Sequence, residues 1–277
     1  MLWFALLLAC VAPPDSPVAP PPSASPAAPV PLPVWPAPGA ELRPLPPPPP
    51  GPSLKVFLVA GHGAPGNSGN RGALCQVEQD VVRDLTAELG EHLLTEARFA
   101  VKQARVGAAQ PTYAERTAAA KAWGADLQLE LHTDARGDAL ATVAYTADGG
   151  PCWRDDADPG FSVLWSDEGP AELVAKRRSA AIALARRLLQ VGFPATAAGY
   201  APDAYAPDPA QLGVFVDRHP AKRRLYMLRR PSVPSIIVET HNAVVRDEAL
   251  AWQATSTRLA FYTAVSAALA DIADAPQ

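Results

Sequence analysis

The sequence predicts a three-layer α/β fold, in which a mostly parallel sheet is flanked by helices on both faces. Short, continuous apolar runs rich in β-forming residues, such as Lys55–Ala60 (KVFLVA), are typical of strands buried on both faces. They alternate along the chain with segments whose apolar residues recur at helical spacing, which favours this architecture. With 277 residues, 48% of them hydrophobic, the chain is long enough to bury one sizeable core.

The predicted elements follow one another from about Leu54 to the end of the chain. After the first strand, helical spacing predicts an amphipathic helix whose apolar residues are Val77, Val81, Leu85, Leu89 and Leu93. The later predicted elements are a helix over Tyr113–Ala125, strands over Asp126–His132 and Ala141–Ala147, a helix over Gly169–Gly192, strands over Leu212–Asp217 and Pro234–Thr240, and a closing helix over Arg246–Ile272. We therefore expect one folded domain over residues 54–277.

The first ten residues, MLWFALLLAC, have the character of an export signal. The apolar run Leu2–Ala9 is too short to span a bilayer, and no Lys or Arg precedes it. The stretch Leu7–Cys10 (LLAC) resembles the bacterial lipobox, in which the signal is cleaved before the cysteine and the cysteine is lipid-modified. We expect residues 1–10 to be a signal and lipobox with Cys10 as the lipid attachment site. An ordinary cleaved signal or a mis-assigned start codon is the alternative.

Residues 11–53 form a proline-rich segment that predicts a disordered tether. Proline lacks an N–H donor and fixes φ, so the segment favours an extended, semi-rigid polyproline spacer; unselected low complexity is the alternative. An anchor followed by such a spacer predicts an exported, periplasmic lipoprotein held off a membrane. Val11–Ala12 lacks the aspartate that retains some lipoproteins in the inner membrane, which favours the outer membrane.

Net charge and cysteine content bear on the partners of the protein and on its disulfide bonds. A net charge of -4 gives no clustered basic face, so we expect no nucleic-acid partner. Apart from Cys10, the chain has only Cys75 and Cys152. In an exported protein these two form one disulfide or remain as two separate buried thiols.

Polar residues that can bind metal follow three of the predicted strands. His62 follows the first strand in a glycine-rich turn (GHG), His132 ends a second strand, and Glu239 and His241 end a late one. Sites in open α/β sheets form at the carboxyl ends of strands, so we expect these side chains to converge. Glu78 adds a carboxylate in the first turn of a helix, beside its apolar stripe. There it is costly unless paired or metal-bound, although stabilisation by the helix dipole is an alternative.

Two histidines and one glutamate match the catalytic zinc pattern of three protein ligands and one open position. His62, Glu78 and His132 are the candidate ligands. Zinc lowers the pKa of bound water to roughly 7 and polarises a carbonyl, and a further carboxylate is then needed to move the proton. Glu239 is the candidate for that role. A loop histidine such as His219 is by default a surface residue, although it follows a strand and could line a pocket.

The segment from Val56 to Ile272 resembles the zinc-dependent N-acetylmuramoyl-L-alanine amidases, the amidase type 3 family. That family opens with a strand and GHGG, a glycine-rich loop and a helix-initial glutamate, matched here by VAGHGAPGNSGNRG and Glu78. It continues with an arginine-containing helix, a strand and SIHAN, matched by ERTAAAKAWGADLQLELHTD. It ends with VPAVLVE and a last helix, matched by SVPSIIVETHN and the predicted closing helix.

The resemblance implies a peptidoglycan hydrolase that cleaves the amide between N-acetylmuramic acid and L-alanine of the stem peptide with zinc-activated water. By position, His62, Glu78 and His132 would be the zinc ligands and Glu239 the catalytic glutamate. Candidate residues that contact substrate or support the ligands are Arg116, His219 and His241. A zinc amidohydrolase or peptidase acting on another amide, a non-catalytic cell-wall-binding relative, and a structural periplasmic protein are the alternatives.

Two departures from the family pattern bear on this expectation. The chain has HTD after the second strand and THN after Glu239, where the family has HAN or HAD and a glycine-containing sequence. The region between His132 and Glu239 is also longer than in minimal members. Some relatives use an insertion here to cover the site until a partner removes it. Residues 149–172 are therefore either such a cover, with an activator protein as partner, or a wall of the substrate groove.

Overall fold

A computed structural model describes residues 42–136, 142–147, 150–155, 158–196 and 204–275. The predicted signal and lipobox with Cys10, and residues 11–41 of the predicted tether, lie outside these ranges. Within the described ranges, no helix is both long and apolar enough to cross a membrane.

Strands and helices alternate through most of the described chain, as the sequence predicts. The strands are β1 (Leu54–Ala60), β2 (Phe99–Gln103), β3 (Leu127–Asp134), β4 (Thr142–Ala147), β5 (Gly150–Arg154), β6 (Ser162–Trp165), β7 (Tyr205–Pro207), β8 (Val214–Asp217) and β9 (Ser235–Asn242). The helices are α1 (Glu78–Leu94), α2 (Tyr113–Trp123), α3 (Ala171–Val191), α4 (Tyr226–Arg229), α5 (Arg246–Ala251) and α6 (Thr255–Asp274).

Seven strands form one sheet in the order β2-β1-β3-β9-β6-β8-β7. The pairs β1–β2, β1–β3, β3–β9 and β6–β8 are parallel, whereas β6–β9 and β7–β8 are antiparallel. The strand predicted over Ala141–Ala147 does not join this sheet, because β4 pairs only with β5 in a separate antiparallel hairpin.

Helices cover both faces of the seven-stranded sheet. Val56 and Leu58 of β1 belong to a core shared with α1, α3 and α6. Phe57 and Val59, which alternate with them, belong to a second core shared with α2 and α4. This alternation follows from the period of two in a strand, and it explains why β1 is apolar without interruption. The predicted three-layer, mostly parallel α/β fold is confirmed.

Part of the segment 149–172 belongs to this core. Its strand β6 is buried at every residue and hydrogen-bonds to β9 and β8. With only four residues, β6 is too short to show a periodic signal. Strand β5 of this region instead pairs with β4 outside the seven-stranded sheet.

The predicted closing helix over Arg246–Ile272 is wrong as a single element, because the chain breaks between α5 and α6. Glu248 holds α5 at the end of β9, where its carboxylate accepts the backbone N–H groups of Gly160 (3.0 Å) and Asn242 (3.2 Å). Trp252, just after α5, is buried in the core. The break therefore lets Glu248 bind these backbone groups while Trp252 packs into the core.

The folded part begins earlier than the predicted boundary at residue 54. The Arg43 backbone N–H donates to the Val191 carbonyl (2.8 Å), and the Leu45 N–H donates to Thr263 Oγ1 (3.1 Å). Leu42 and Leu45 pack against the larger core. The end of the proline-rich segment thus lies on α3 and α6, since its leucines can bury apolar surface there.

The order of the central strands determines where the predicted site residues meet. Strands β1, β3 and β9 are parallel neighbours, so their carboxyl ends lie at the same edge of the sheet. The chain passes from β1 outward to β2 and then back to β3, which makes the β1–β3 boundary a topological switch point. Such points are where open α/β sheets bind ligands.

Candidate metal centre and catalytic site

His62 lies two residues after β1, in a turn that only a few side chains tolerate. Its backbone has a φ of 53°, in the left-handed region. Its carbonyl and that of Ala60 accept hydrogen bonds from the buried Arg116 guanidinium at 2.5 and 3.0 Å. The imidazole Nδ1 is 2.8 Å from Asn67 Oδ1, and Nε2 is 3.1 Å from Glu78 Oε2. The backbone of His62 is therefore held by Arg116, and its ring by Asn67 and Glu78.

Glu78 is the first residue of α1, and its side chain is only 3% exposed. Oε1 accepts the Thr133 backbone N–H (3.0 Å), and Oε2 accepts both N–H groups of Asn70, backbone and side chain, at 3.0 and 2.8 Å. Burial alone would raise the pKa of this carboxyl, but hydrogen bonds and charges from His132 and His62 outweigh burial and lower it. Glu78 is therefore ionised and points inward between the two histidines.

His132 lies near the carboxyl end of β3. Its Nδ1 is 3.0 Å from Glu78 Oε1, and its ring meets that of His62 edge to face with centroids 4.7 Å apart. The ring also lies directly on Gly61, where an added Cβ would be 2.5 Å from Cε1 and Nε2 of the imidazole. Burial alone would lower the pKa of His132, whereas hydrogen bonds that the imidazole donates to Glu130 and Glu78 raise it well above its ordinary value.

These three side chains fit a zinc ion. One ligand atom each from His62, Glu78 and His132 lies within 4.8 Å of the other two, as ligands of one ion must. Two imidazole nitrogens and one carboxylate oxygen are a donor set that catalytic zinc sites use. The predicted convergence of these three residues is confirmed, while their role as ligands stays a prediction.

Glu239 lies beside this cluster on the neighbouring strand. It is the register partner of His132 in the parallel pair β3–β9. Its Oε2 is buried and, among the described residues, has no hydrogen-bond partner. Burial raises the pKa of the Glu239 carboxyl well above its ordinary value, and the negative charge of Asp134 adds to that rise. A carboxyl with an unsatisfied oxygen and a raised pKa is suited to accept and return a proton.

A β-bulge separates His241 from Glu239. The register changes from His132↔Glu239 to Asp134↔Asn242, so β9 has one residue more than β3 over this interval. The extra residue sends the His241 ring into the core, where it stacks on Trp252 with centroids 4.9 Å apart. His241 is 4% exposed and lines a small cavity with Glu78 and Thr133. His241 thus lies on the core side of Glu78 and is separate from the candidate ligands.

Arg116 and His219, the other two candidates, differ in their surroundings. Arg116 follows the capping box formed by Thr112 and Glu115, is 1% exposed, and donates to the backbone carbonyls of Pro111, Ala60 and His62. It fixes the turn that carries His62. His219 is partly exposed, with Nδ1 2.9 Å from Asp217 Oδ1 and its ring edge against Tyr205.

Tyr205, the ring that His219 contacts, is the register partner of Asp217 in the antiparallel pair β7–β8. Burial raises the pKa of Tyr205, and the negative charges of Glu239 and Asp217 raise it further.

Sequence reasoning missed several polar residues that position the candidate ligands. Asn67 and Asn70 sit among glycines in the loop before α1, where asparagine is also a common turn residue. Glu130 precedes His132 by two residues, so both share a face of β3. That spacing, within the alternating apolar and polar residues of LQLELHTD, was the available signal for Glu130.

A disulfide joins the loop before α1 to the β4–β5 hairpin. Cys75 and Cys152 are bonded, with Cα atoms 4.9 Å apart, so the first of the two predicted alternatives is correct. The Trp153 N–H donates to the Arg71 carbonyl at 3.2 Å, beside the disulfide. The hairpin is thereby fixed to the loop that supplies Asn67 and Asn70.

Comparison with known proteins supports the fold and identifies the family. The structure resembles Ami1, an N-acetylmuramyl-L-alanine amidase from Mycobacterium smegmatis, with a TM-score of 0.62, 17% identity, and coverage of 80% of this chain and 97% of that one. It also resembles an N-acetylmuramoyl-L-alanine amidase from Clostridium difficile 630 (TM-score 0.58, 13% identity, 79% and 95% covered). A third similar structure is the CwlD amidase from Clostridioides difficile, in complex with the GerS lipoprotein (0.54, 13%, 79% and 98%).

At these identities the structural likeness shows the fold alone, and a search of curated protein sequences finds no match. The family assignment comes from a sequence-family model, N-acetylmuramoyl-L-alanine amidase (Amidase_3), which matches residues 56–271 and so includes all the predicted site residues of the folded domain. The predicted family is confirmed: this chain belongs to the N-acetylmuramoyl-L-alanine amidases.

Proposed function

We propose that this chain is a zinc-dependent hydrolase that cleaves the amide between the lactyl group of N-acetylmuramic acid and L-alanine of the stem peptide. Family membership supports peptidoglycan as the substrate. The observation that carries the zinc-dependent mechanism is the convergence of His62, Glu78 and His132 beside Glu239. When bound in such a set, zinc supplies Lewis-acid chemistry, polarising a carbonyl and lowering the pKa of water.

The protein's own residues prepare the site for this chemistry before substrate binds. Glu78 is oriented by the N–H groups of Asn70 and Thr133, so its two oxygens face the two imidazoles without rotating. Glu239 acts as the proton carrier. It takes a proton from the attacking water and delivers it to the departing alanine nitrogen, which leaves as a free amine. The unpartnered Oε2 of Glu239 supports this role, since no hydrogen-bond donor among the described residues occupies the oxygen that would accept the proton.

The test is digestion of purified peptidoglycan with mass analysis of the products. We expect free stem peptides that begin with L-alanine. Muropeptides whose lactyl–alanine bond is intact would instead support a zinc amidohydrolase or peptidase acting on another amide.

Glu239→Gln should abolish hydrolysis while zinc binding is retained, because the amide keeps the shape of the side chain and cannot carry the proton. General acid–base catalysis contributes about 10²–10⁴-fold, so the rate should fall by at least about 100-fold. Asp126→Asn is a matched control, since the Asp126 carboxylate accepts the Lys55 backbone N–H at the amino end of β1, away from the site. A Glu239→Gln variant with unchanged hydrolysis would refute the mechanism.

We also propose that Cys10 is lipidated and that residues 11–41 tether the enzyme to a membrane facing the periplasm, with the outer membrane favoured. The LLAC stretch and the proline content support this. At ~3.1 Å per residue, an extended tether of this length reaches on the order of 100 Å. Labelling with a palmitate analogue should mark the wild type and leave Cys10→Ala unmarked, and fractionation locates the membrane.

An activator protein also stays a proposal. Strand β5, which belongs to residues 149–172, lies in the β4–β5 hairpin outside the seven-stranded sheet, and we assign the contact to this hairpin. Hydrolysis by the purified wild type at the rate seen with added periplasmic extract would show that no activator is required.

A further inference from the structure

Glu130 is a buried carboxylate that the proposed mechanism leaves without a role. It lies on β3 two residues before His132, so the two side chains share one face of the sheet. The residue has no exposed surface. Its Oε1 is 3.2 Å from His132 Nε2, while its buried Oε2 has no hydrogen-bond partner among the described residues.

The fold itself does not require a carboxylate at this position. Burying one is costly unless its oxygens are paired, and here one of them is not. Gln128 lies two residues earlier on the same face and is equally buried, but it carries a neutral amide, whose nitrogen donates to Ser235 Oγ at 3.2 Å. Arg116, the nearby cation, donates to the carbonyls of Ala60, His62 and Pro111. The carboxylate therefore needs a reason beyond packing, and it is directed at His132.

The two ring nitrogens of His132 face two different carboxylates. Nδ1 points to Glu78 at 3.0 Å, and Nε2 points to Glu130 at 3.2 Å. A metal ion bound on the Glu78 side would take the lone pair of Nδ1, so the one proton of the neutral imidazole would lie on Nε2, where Glu130 Oε1 can accept it. The lone pair of Nδ1 is then directed at the Glu78 side of the ring, where the ligand atoms of His62 and Glu78 lie.

We propose that Glu130 is a positioning residue that fixes the tautomer of His132 and strengthens it as a zinc ligand through an Nε2–H hydrogen bond; this inference rests on the proposed zinc site. Carboxylate–histidine–zinc arrangements of this kind orient the ring and raise the basicity of the ligand. Glu130 and Glu78 together also balance the two positive charges of a zinc ion within a buried site. His62 differs, because its outer nitrogen meets the neutral Asn67 amide at 2.8 Å.

The first test measures zinc affinity rather than activity, by competition with a chromophoric chelator. Outer-sphere partners of this kind are worth about 10- to 100-fold in metal affinity, so Glu130→Ala should raise the zinc Kd by that factor. Glu130→Gln, which keeps an acceptor oxygen and removes the charge, should fall between Glu130→Ala and the wild type. Gln128→Ala is the matched control: it removes a buried polar side chain from the same face and should leave the Kd within about 3-fold.

Folding and metal binding are separated by a urea unfolding curve on each variant. If Glu130 only stabilises the fold, Glu130→Ala will lower the unfolding free energy while its Kd stays within about 3-fold of the wild type, and the inference is overturned. The proposed function fails separately. In that case the wild type itself binds no stoichiometric zinc, or His62→Ala leaves zinc binding intact.

A second measurement uses the unmodified, zinc-loaded protein and so does not depend on a variant that folds. Long-range ¹H–¹⁵N correlation spectra report which imidazole nitrogen carries the proton. We expect His132 to be protonated at Nε2 with Nδ1 bound to the metal. A proton on Nδ1 of His132 would refute the inference even if zinc binds tightly.

Discussion

His241 offers a test of the structure that is independent of catalysis. Its ring is stacked on Trp252 and almost fully buried. Burial lowers the pKa of His241 to about 3, because a charged imidazole would lose its hydration in the core. In the unfolded chain the same group has an ordinary pKa of about 6.5. The perturbation is His241→Phe, which keeps an aromatic ring on Trp252 and removes the titrating group.

The sign and size of the effect follow from linkage. Between pH 6.5 and pH 3 the unfolded state binds a proton at His241 that the folded state refuses, so the wild type loses stability as the pH falls through this window. From pH 7.5 to pH 5.0, a shift from about 6.5 to about 3 predicts a loss of roughly 2 kcal/mol from this residue alone. His241→Phe should therefore lose about 2 kcal/mol less than the wild type over the same change in pH.

The assay is urea unfolding of both proteins at pH 7.5 and pH 5.0 with a chelator present and the disulfide intact. The quantity of interest is the difference between the two pH-dependent changes, since other titrating groups and any general destabilisation by the Phe ring cancel in it. Phe261→Leu, in the same aromatic cluster, is the control and should lower stability equally at both values of pH. An unchanged pH dependence in His241→Phe would mean that the ring is protonated or exposed in the native state, contrary to the structure.

Three further changes test how the site is held. Gly61→Ala would place a Cβ 2.5 Å from the His132 ring, so it should raise the zinc Kd by at least about 10-fold in a chelator competition. Gly107→Ala is the control, because a Cβ there would meet no atom within 4 Å and should leave the Kd unchanged. Arg116→Met removes the guanidinium that donates to the carbonyls of Ala60, His62 and Pro111, and it should cost about 2–4 kcal/mol in urea unfolding. A loss below about 1 kcal/mol would contradict the buried geometry. Cys152→Ser removes a disulfide with a sequence separation of 77 residues and should lower the unfolding free energy by about 2–4 kcal/mol in urea unfolding. A wild type whose stability is unchanged by reductant would contradict this expectation.

The main features of the site were predictable because each depends on a local signal. An apolar run that stops at a histidine or glutamate marks the carboxyl end of a strand, as at His62, His132 and Glu239. Parallel strands bring such ends to one edge whatever their order. The order itself, with β1, β3 and β9 as neighbours, depends on packing between distant segments and has no signature in the sequence.

The features that sequence reasoning missed arise from small local irregularities. The period of two along β9 predicts that Glu239 and His241 share a face, but one inserted residue turns His241 into the core. Strand β6, at four residues, is shorter than a periodic pattern can reveal. The break before α6 depends on where Glu248 and Trp252 find partners, which is a property of the tertiary structure.

These placements change which departures from the family pattern should matter for function. The unusual THN sequence after Glu239 draws attention to His241, yet the bulge places that ring behind the cluster and against Trp252. The family motif SIHAN has serine two residues before its histidine, where this chain has Glu130 in contact with His132 Nε2. A serine hydroxyl is shorter and neutral, so it supplies neither the reach nor the charge of a carboxylate at that position. The difference in chemistry between this chain and the motif is therefore to be expected in how tightly His132 holds zinc, and the Glu130 variants measure that property directly.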